Sequence, residues 1–269
     1  MAKRVFITGG AGGLGRALAT QLVQSGAKVL IGDIDDTAAQ ATAAEIGAIA
    51  IRCDVTSEGD FATVANWLQD NWGGVDLVIN NAGVAQMGAL DQTPIDDWHW
   101  ILNINTLGPV RAAQALGPLM PPGSQMLNIA SMAAMLYLPN SAAYNASKSA
   151  LLAISETLML EWEPRGITIH VACPSFFRTD LARNMRAADD TTRAATTRMV
   201  ERARVGADEV ATTIFVGLAA GDPHILTHRS ARKSWLLKRY LPFSMYMSMM
   251  RKELAKLNTR LKTPSKTKS

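Results

Sequence analysis

The chain has 269 residues, 48% of them apolar and 19% charged, which suits one large α/β domain whose core needs no covalent staples. With 20 glycines, 11 prolines and two cysteines, Cys53 and Cys173, it is neither low-complexity, collagen-like nor a disulfide scaffold, and it has no zinc-ligand spacing. The net charge of +4 conceals a split: His228 to Ser269 holds twelve Lys/Arg against the single acid Glu253, a net +11, which leaves −7 on the rest. An acidic domain repels a phosphate backbone, so nucleic acid is not expected as a partner.

The elements alternate along the chain. Arg4 to Thr8 reads as a buried strand, followed by a glycine-rich turn and a helix from Leu14 to Ser25. A strand over Lys28–Gly32, a helix over Asp36–Ile46, a strand over Ala48–Cys53, a helix over Ser57–Trp72 and a strand over Val75–Asn80 come next. Short apolar runs separated by amphipathic segments of this length indicate βαβ units and a parallel sheet. One long helix is expected from Ile95 to Met120, then a strand over Gln125–Ala130, a helix over Ala142–Glu163 and a strand over Ile167–Ala172. The stretch from Ser175 to Gly206 carries no strand signal and reads as a loop-plus-helix insertion, a lid. A helix over Ala207–Ala220 and a short strand over His224–Thr227 complete the sheet. There is no apolar run of spanning length and no signal-peptide pattern before Arg4, so a reducing cytoplasm is the expected compartment.

The glycine turn, Thr8-Gly9-Gly10-Ala11-Gly12-Gly13-Leu14-Gly15, lies between the first strand and the first helix. Glycines let a pyrophosphate approach the backbone, and a helix N-terminus offers free N–H groups and a positive dipole end. The turn has the context that dinucleotide binding requires: a strand before, a helix after, and an acid, Asp33, closing the second strand. A carboxylate there accepts from the adenosine ribose hydroxyls and repels a 2′-phosphate. NAD is therefore expected rather than NADP; Arg16, the nearby base, reads as solvated.

The spacing resembles the short-chain dehydrogenase/reductase superfamily over about residues 3 to 228. Thr8-Gly9-x-x-x-Gly13-x-Gly15 is similar to its cofactor signature, and Asn80-Asn81-Ala82-Gly83 to its second signature. Tyr144-x-x-x-Lys148 is similar to its active-site pair, with Ser131 thirteen residues before the tyrosine and Asn105 at the place of its active-site asparagine. Asp54-Val55 resembles the pair that holds the adenine ring, and Thr179 the residue that contacts the nicotinamide carboxamide. One departure appears: where the family often has Pro-Gly, this chain has Pro174-Ser175. The resemblance implies a single doubly wound, parallel-sheet Rossmann domain of about seven strands in the order 3-2-1-4-5-6-7. It implies NAD held by Thr8, Gly9, Gly13, Leu14, Gly15, Asp33, Asp54, Val55, Asn81, Ala82, Gly83, Tyr144, Lys148, Pro174 and Thr179.

Oxidising an alcohol needs a base for the hydroxyl proton, and a free tyrosine is a poor one near neutrality. Tyr144 and Lys148 are i and i+4 on a helix, so they share a face, and the ammonium together with the positive nicotinamide is expected to lower the phenol's pKa. Ser131 is expected to orient the substrate oxygen. By the resemblance, Lys148 also holds the nicotinamide ribose and Asn105 fixes a water that links Lys148 to solvent. Trp98 and Trp100 read as packing residues, and the four histidines show no metal pairing. Met132, Met135, Leu136, Tyr137 and Leu138, between serine and tyrosine, suggest an apolar substrate. The helix after Tyr144 is apolar on more than one face, as expected of a homodimer or homotetramer.

The expected activity is NAD(H)-dependent interconversion of a secondary alcohol and a ketone on a hydrophobic, lipid-like molecule. The alternatives are an aldehyde or fatty-acyl reductase and, from another class, a nucleotide-sensing binding protein. The domain is expected over 1–228, with 175–206 as the substrate loop and 229–269 as a basic amphipathic extension. Two accounts of that extension stand: packing on its own or a partner subunit with a frayed end from Thr263, or peripheral contact of 229–260 with anionic lipid.

Overall fold

A computed structural model describes residues 3–179 and 185–262, with backbone alone for 229–231 and 256–262. The end expected to fray from Thr263 lies outside the described residues. The chain divides after His228 into two compact units.

In the first unit, β1 (Arg4–Thr8), β2 (Lys28–Asp33), β3 (Ile49–Arg52) and β4 (Leu77–Asn80) alternate with α1 (Gly13–Gln24), α2 (Asp36–Ile46) and α3 (Glu58–Trp72). After the two-residue β5 (Gln86–Met87) come α4 (Ile95–Leu102), α5 (Gly108–Leu116), β6 (Gln125–Ile129), α6 (Ala142–Trp162) and β7 (Thr168–Ala172). The two-residue β8 (Arg186–Ala187), α7 (Asp190–Glu201), α8 (Ala207–Ala220) and β9 (His224–Ile225) end the unit. The main sheet is parallel and seven-stranded among the described residues, in the order β3-β2-β1-β4-β6-β7-β9. This is the expected doubly wound order, with β1 and β4 adjacent where the winding reverses direction.

Successive side chains of a strand point to opposite faces, and here both faces are covered. Val5 and Ile7 face one core with Leu14, Leu18 and Leu22 of α1 and Ile214 and Leu218 of α8. Phe6 between them faces the other, with Phe61, Val64 and Leu68 of α3 and Leu116 of α5. Full burial of each such side chain contributes about 1.5–3 kcal/mol. Caps set the helix limits: Asp35 accepts from the Ala38 N–H at 3.0 Å, and Gly73, at φ +67°, ends α3.

Two features depart from the sequence reading. The long helix expected over Ile95–Met120 is interrupted by a π turn, Asn103–Leu107. Pro109 has no N–H for the carbonyl four residues back, so the regular ladder cannot pass through it. The insertion contains β8, which pairs in parallel with β5. Two residues are too few to carry a strand period in the sequence.

The second unit holds α9 (Arg229–Tyr240) and α10 (Phe243–Lys262), joined by Leu241-Pro242. The Tyr246 N–H donates to the Pro242 carbonyl at 3.1 Å, and the Phe243 and Tyr246 rings lie 6.4 Å apart. No helix among the described residues is long and apolar enough to cross a membrane.

Candidate active site

The β1–α1 turn closes too tightly for side chains. Gly9 has φ +65°, and a Cβ there would stand 2.8 Å from Ala82 Cα; a Cβ on Gly15 would stand 2.0 Å from the Gly9 oxygen. The turn is also bolted to the end of β4. Thr8 Oγ1 accepts from the N–H groups of Asn81 and Ala82, both at 3.1 Å, and Asn81 Nδ2 donates to the oxygens of Thr8 (3.0 Å) and Gly9 (2.9 Å). The first and second signatures therefore form one rigid piece. Helix α1 starts at Gly13 after an N-cap, Gly12, that offers no side-chain acceptor, and its first turn, with Leu14 and Gly15, contains no acid. A pyrophosphate fits this cradle by both shape and charge.

Asp33 aims its carboxylate into the turn: Oδ2 accepts from the Ala11 N–H at 3.0 Å and Oδ1 from the Asp35 N–H at 3.1 Å. Arg16, expected to be solvated, is ion-paired with Glu45. Just past β3, Asp54 Oδ1 accepts from Thr56 N–H and Oγ1 at 2.9 and 2.7 Å, and the Asp54 N–H is held by Asp60 at 2.8 Å. Val55 is buried against Gly108, where a Cβ would sit 3.1 Å from the valine Cβ.

Three elements assemble the four residues with chemistry. Ser131 follows β6, Tyr144 and Lys148 lie on the first turns of α6, and Asn105 sits in the π turn. Burial pushes the Tyr144 phenol above its usual pKa, and the Ser131 contact opposes that rise. In the chain without nucleotide, desolvation is the largest influence on the phenol. Lys148 is 4% exposed and donates to the Ile129 carbonyl at 2.9 Å. Burial pushes its ammonium down to about 8. Gly83 fits between the groups, since a Cβ there would lie 3.2 Å from both Asn105 Oδ1 and Lys148 Nζ.

Asn105 is fully buried, and its side chain is engaged by the chain itself. Oδ1 accepts from the Val84 N–H at 2.8 Å, and Nδ2 donates to the Val84 oxygen at 2.9 Å and to Ser147 Oγ at 3.1 Å. Its visible task is to clamp the segment after Gly83 onto α6. The apolar run before Tyr144 also needs correction. Met132 and Met135 are turned into the core, while Tyr137 is 56% exposed and Leu136 and Leu138 are half-buried.

Past β7, Pro174 is buried and its oxygen accepts from the Met132 N–H at 2.9 Å. The Ser175 N–H donates to His228 Nδ1 at 3.4 Å, and Thr227 Oγ1 lies 2.8 Å from the same nitrogen. His228 Nε2 is buried with no hydrogen-bond partner among the described residues, and burial lowers the pKa of the ring. From the sequence, His228 is weighed only as a metal ligand, and no pairing is found for it. No sequence signal points to it, since the bond is made by a backbone N–H that any residue but proline carries at position 175. Thr179 is half-buried and ends the described part of this loop. The neighbouring Arg178 anchors the loop through Nη1 to the oxygens of Ala203 (2.6 Å) and Arg204 (2.8 Å). Beyond 180–184, Arg186 pairs with Asp97 at 2.8 Å and stacks 4.1 Å over the Trp100 ring, so Trp100 is a packing residue that ties the insertion to α4.

Known proteins are similar to this chain in sequence and fold. A family model described as enoyl-(acyl carrier protein) reductase matches residues 9–221. The chain is 35% identical over 189 residues to a CLA biosynthesis dehydrogenase/reductase of Lactiplantibacillus plantarum, a match covering 66% of each chain. It is 31% identical to a D-threitol dehydrogenase of Mycolicibacterium smegmatis, over 66% of this chain and 72% of that one. Among solved structures, a short-chain dehydrogenase/reductase of Burkholderia phymatum in complex with NAD superposes with a TM-score of 0.81 at 28% identity, over 88% of this chain and 93% of that one. The conjunction of the glycine cradle, the Asn81-Ala82-Gly83 bolt and the Ser131–Tyr144–Lys148 cluster with these matches places the chain in the short-chain dehydrogenase/reductase superfamily, a family of oxidoreductases.

Proposed function

We propose that the chain is an NAD(H)-dependent oxidoreductase interconverting a secondary alcohol and a ketone on a hydrophobic, lipid-like molecule. The observation that carries this reading is the buried Lys148, one helical turn from Tyr144 on α6 and held by the carbonyl of Ile129 on β6, with Ser131 just past the end of the same strand. Thr8, Gly9, Gly13, Leu14, Gly15 and Asn81-Ala82-Gly83 would cradle the dinucleotide, Asp54 and Val55 would flank its adenine, and Pro174 and Thr179 its nicotinamide. Asp33 supports NAD, because its carboxylate sits inside the turn and the nearby Arg16 is occupied by Glu45. When bound, the nicotinamide accepts or returns the hydride of the carbinol carbon. Ser131 donates to the substrate oxygen and fixes it beside the phenol. Tyr144 takes the hydroxyl proton in oxidation and gives it back in reduction. Lys148 places a positive charge one turn from the phenol, which favours the phenolate when oxidation demands it.

The half-open Leu136–Leu138 rim and the 175–206 insertion support an apolar substrate under a lid. Exposed Leu107 (46%) beside α5 and Leu160 (74%) on α6 support pairing into a homodimer or homotetramer, and the two buried thiols fit a reducing cytoplasm. A second reading, reduction of an aldehyde or fatty-acyl group, draws support from the description of the matching family model. A 3-ketoacyl-(acyl-carrier-protein) reductase of Brucella melitensis complexed with NADH, named for a ketone on an acyl chain, is similar with a TM-score of 0.72 at 26% identity over 85% of this chain and 98% of that one, and it fits the first reading. A purely nucleotide-sensing role leaves the assembled Ser131, Tyr144 and Lys148 without a purpose. The test is to follow nicotinamide absorbance with hydrophobic secondary alcohols, ketones, aldehydes and acyl thioesters, each with NAD(H) and NADP(H). Turnover of alcohols or ketones with NAD(H) is the expected result; turnover confined to acyl thioesters or to NADP(H) overturns it.

A further inference from the structure

The turn between α9 and α10 presents large apolar side chains to water. Tyr240 is 76% exposed, Phe243 70% and Met245 57%, and Leu236, one turn before Tyr240, is 39% exposed. The same unit is almost free of acids. Residues 229–269 contain twelve Lys/Arg and one Glu, and Arg232, Lys233, Arg239, Arg251 and Lys252 are exposed on the two helices. Arg239 also lies 5.6 Å over the Trp235 ring, so cation and aromatic surface are interleaved.

We propose that the α9–α10 corner is a docking surface for a bilayer rich in anionic lipid. The inference goes beyond the oxidoreductase reading and makes no use of the redox site. Two independent properties select this occupant. The charge is complementary to anionic headgroups, and each basic residue near such a surface adds to its attraction. The corner carries tyrosine, phenylalanine and methionine, side chains that gain by leaving water and that suit the headgroup–acyl boundary. A nucleic-acid strand would satisfy the charge and leave that apolar corner in water. The helices are not apolar enough to cross a bilayer, so the contact is peripheral and reversible.

The experiment is sedimentation of the full chain with vesicles of phosphatidylcholine alone or of phosphatidylcholine with phosphatidylglycerol, at low and high salt. The protein is expected to pellet with the anionic vesicles at low salt, to stay in the supernatant with the neutral ones, and to be released by salt. The triple variant Tyr240→Ser, Phe243→Ser, Met245→Ser keeps every charge and is expected to weaken binding about tenfold or more. Its nucleotide binding should match wild type, since the nucleotide cradle lies in the other unit. Full-length protein that stays in solution with anionic vesicles at low salt overturns the proposal. So does a triple variant that binds vesicles like wild type, which would reduce the effect to charge. A triple variant that loses its oligomeric state on size exclusion would make the corner a subunit contact, and equal retention by duplex DNA would make it a general polyanion trap; either result overturns the proposal.

Discussion

Lys148 donates from Nζ to the carbonyl oxygen of Ile129, the last residue of β6, across 2.9 Å. One backbone oxygen is modest compensation for burying an ammonium, which is why its pKa falls from 10.5 to about 8. At neutral pH the lysine is protonated in both folded and unfolded chains, and the fold carries the whole desolvation penalty. Between about pH 8 and 10.5 the folded protein releases this proton while the unfolded chain keeps it, so this group's contribution to stability improves as pH rises through that window. Lys148→Met should therefore be more heat-stable than wild type at pH 7, by up to about 3 kcal/mol before the lost hydrogen bond is subtracted. The advantage should shrink towards pH 10. Thermal unfolding of both proteins across that range checks it; a variant less stable at pH 7, or an advantage independent of pH, would show that the ammonium does not carry the strain. The same variant should lose both turnover and nucleotide affinity.

Tyr144 offers a cleaner separation of chemistry from binding. Tyr144→Phe removes one hydroxyl next to Ser131 and is expected to cut turnover by about 10²–10⁴-fold, the range of general acid–base catalysis. NADH affinity by fluorescence titration should stay within about twofold. Because burial raises the phenol's pKa, the neutral form persists well into the alkaline range. Ketone reduction, which needs that proton, should hold its rate at neutral pH, and alcohol oxidation should climb as pH rises. A residual activity within tenfold of wild type in the variant would remove Tyr144 from the proton path.

Asp33 sits in the turn with its carboxylate fixed by two backbone N–H groups, so its charge cannot swing away from a 2′-phosphate. Wild type should prefer NAD to NADP by kcat/KM. Asp33→Ala should narrow the ratio by an amount corresponding to about 1–3 kcal/mol, and should also weaken NAD itself as the Ala11 N–H loses its acceptor. A wild-type preference for NADP would mean that Arg16 leaves Glu45 for the phosphate.

The sheet order and most of the site were legible because their signals are local and periodic. Strands buried on both faces read as continuous apolar runs, and the glycines, Asp33 and the Tyr144–Lys148 pair are fixed by spacing along single turns. What the sequence hid depends on contacts across the fold. The π turn follows from Pro109, a residue four positions from the asparagine whose placement it changes. The inward turn of Met132 and Met135 is decided by the short turn after Ser131. The direction of the Tyr144 shift is set by how deeply α6 packs, which no i, i+4 rule reports. His228 lies 53 residues beyond Ser175, and only the adjacency of β7 and β9 brings the two together.

That last pair supplies a prediction of its own. Where a glycine would leave the backbone after Pro174 loose, this chain holds the Ser175 N–H with the unprotonated Nδ1 of His228, and Thr227 Oγ1 lies beside the same nitrogen. The proton of the neutral ring then belongs on Nε2, the buried atom with no partner among the described residues. Thr179 lies four residues after Ser175, so slack at Ser175 reaches the proposed nicotinamide contacts. His228→Ala should raise the KM for NADH about three- to tenfold, the worth of one hydrogen bond, and leave kcat nearly unchanged. His228→Asn, whose side-chain oxygen falls near the place of Nδ1, should restore most of the affinity. A structural role unrelated to the loop would instead lower the thermal transition of both variants alike and leave the KM where it was. Steady-state kinetics of the two variants, beside their melting curves, decide between these outcomes.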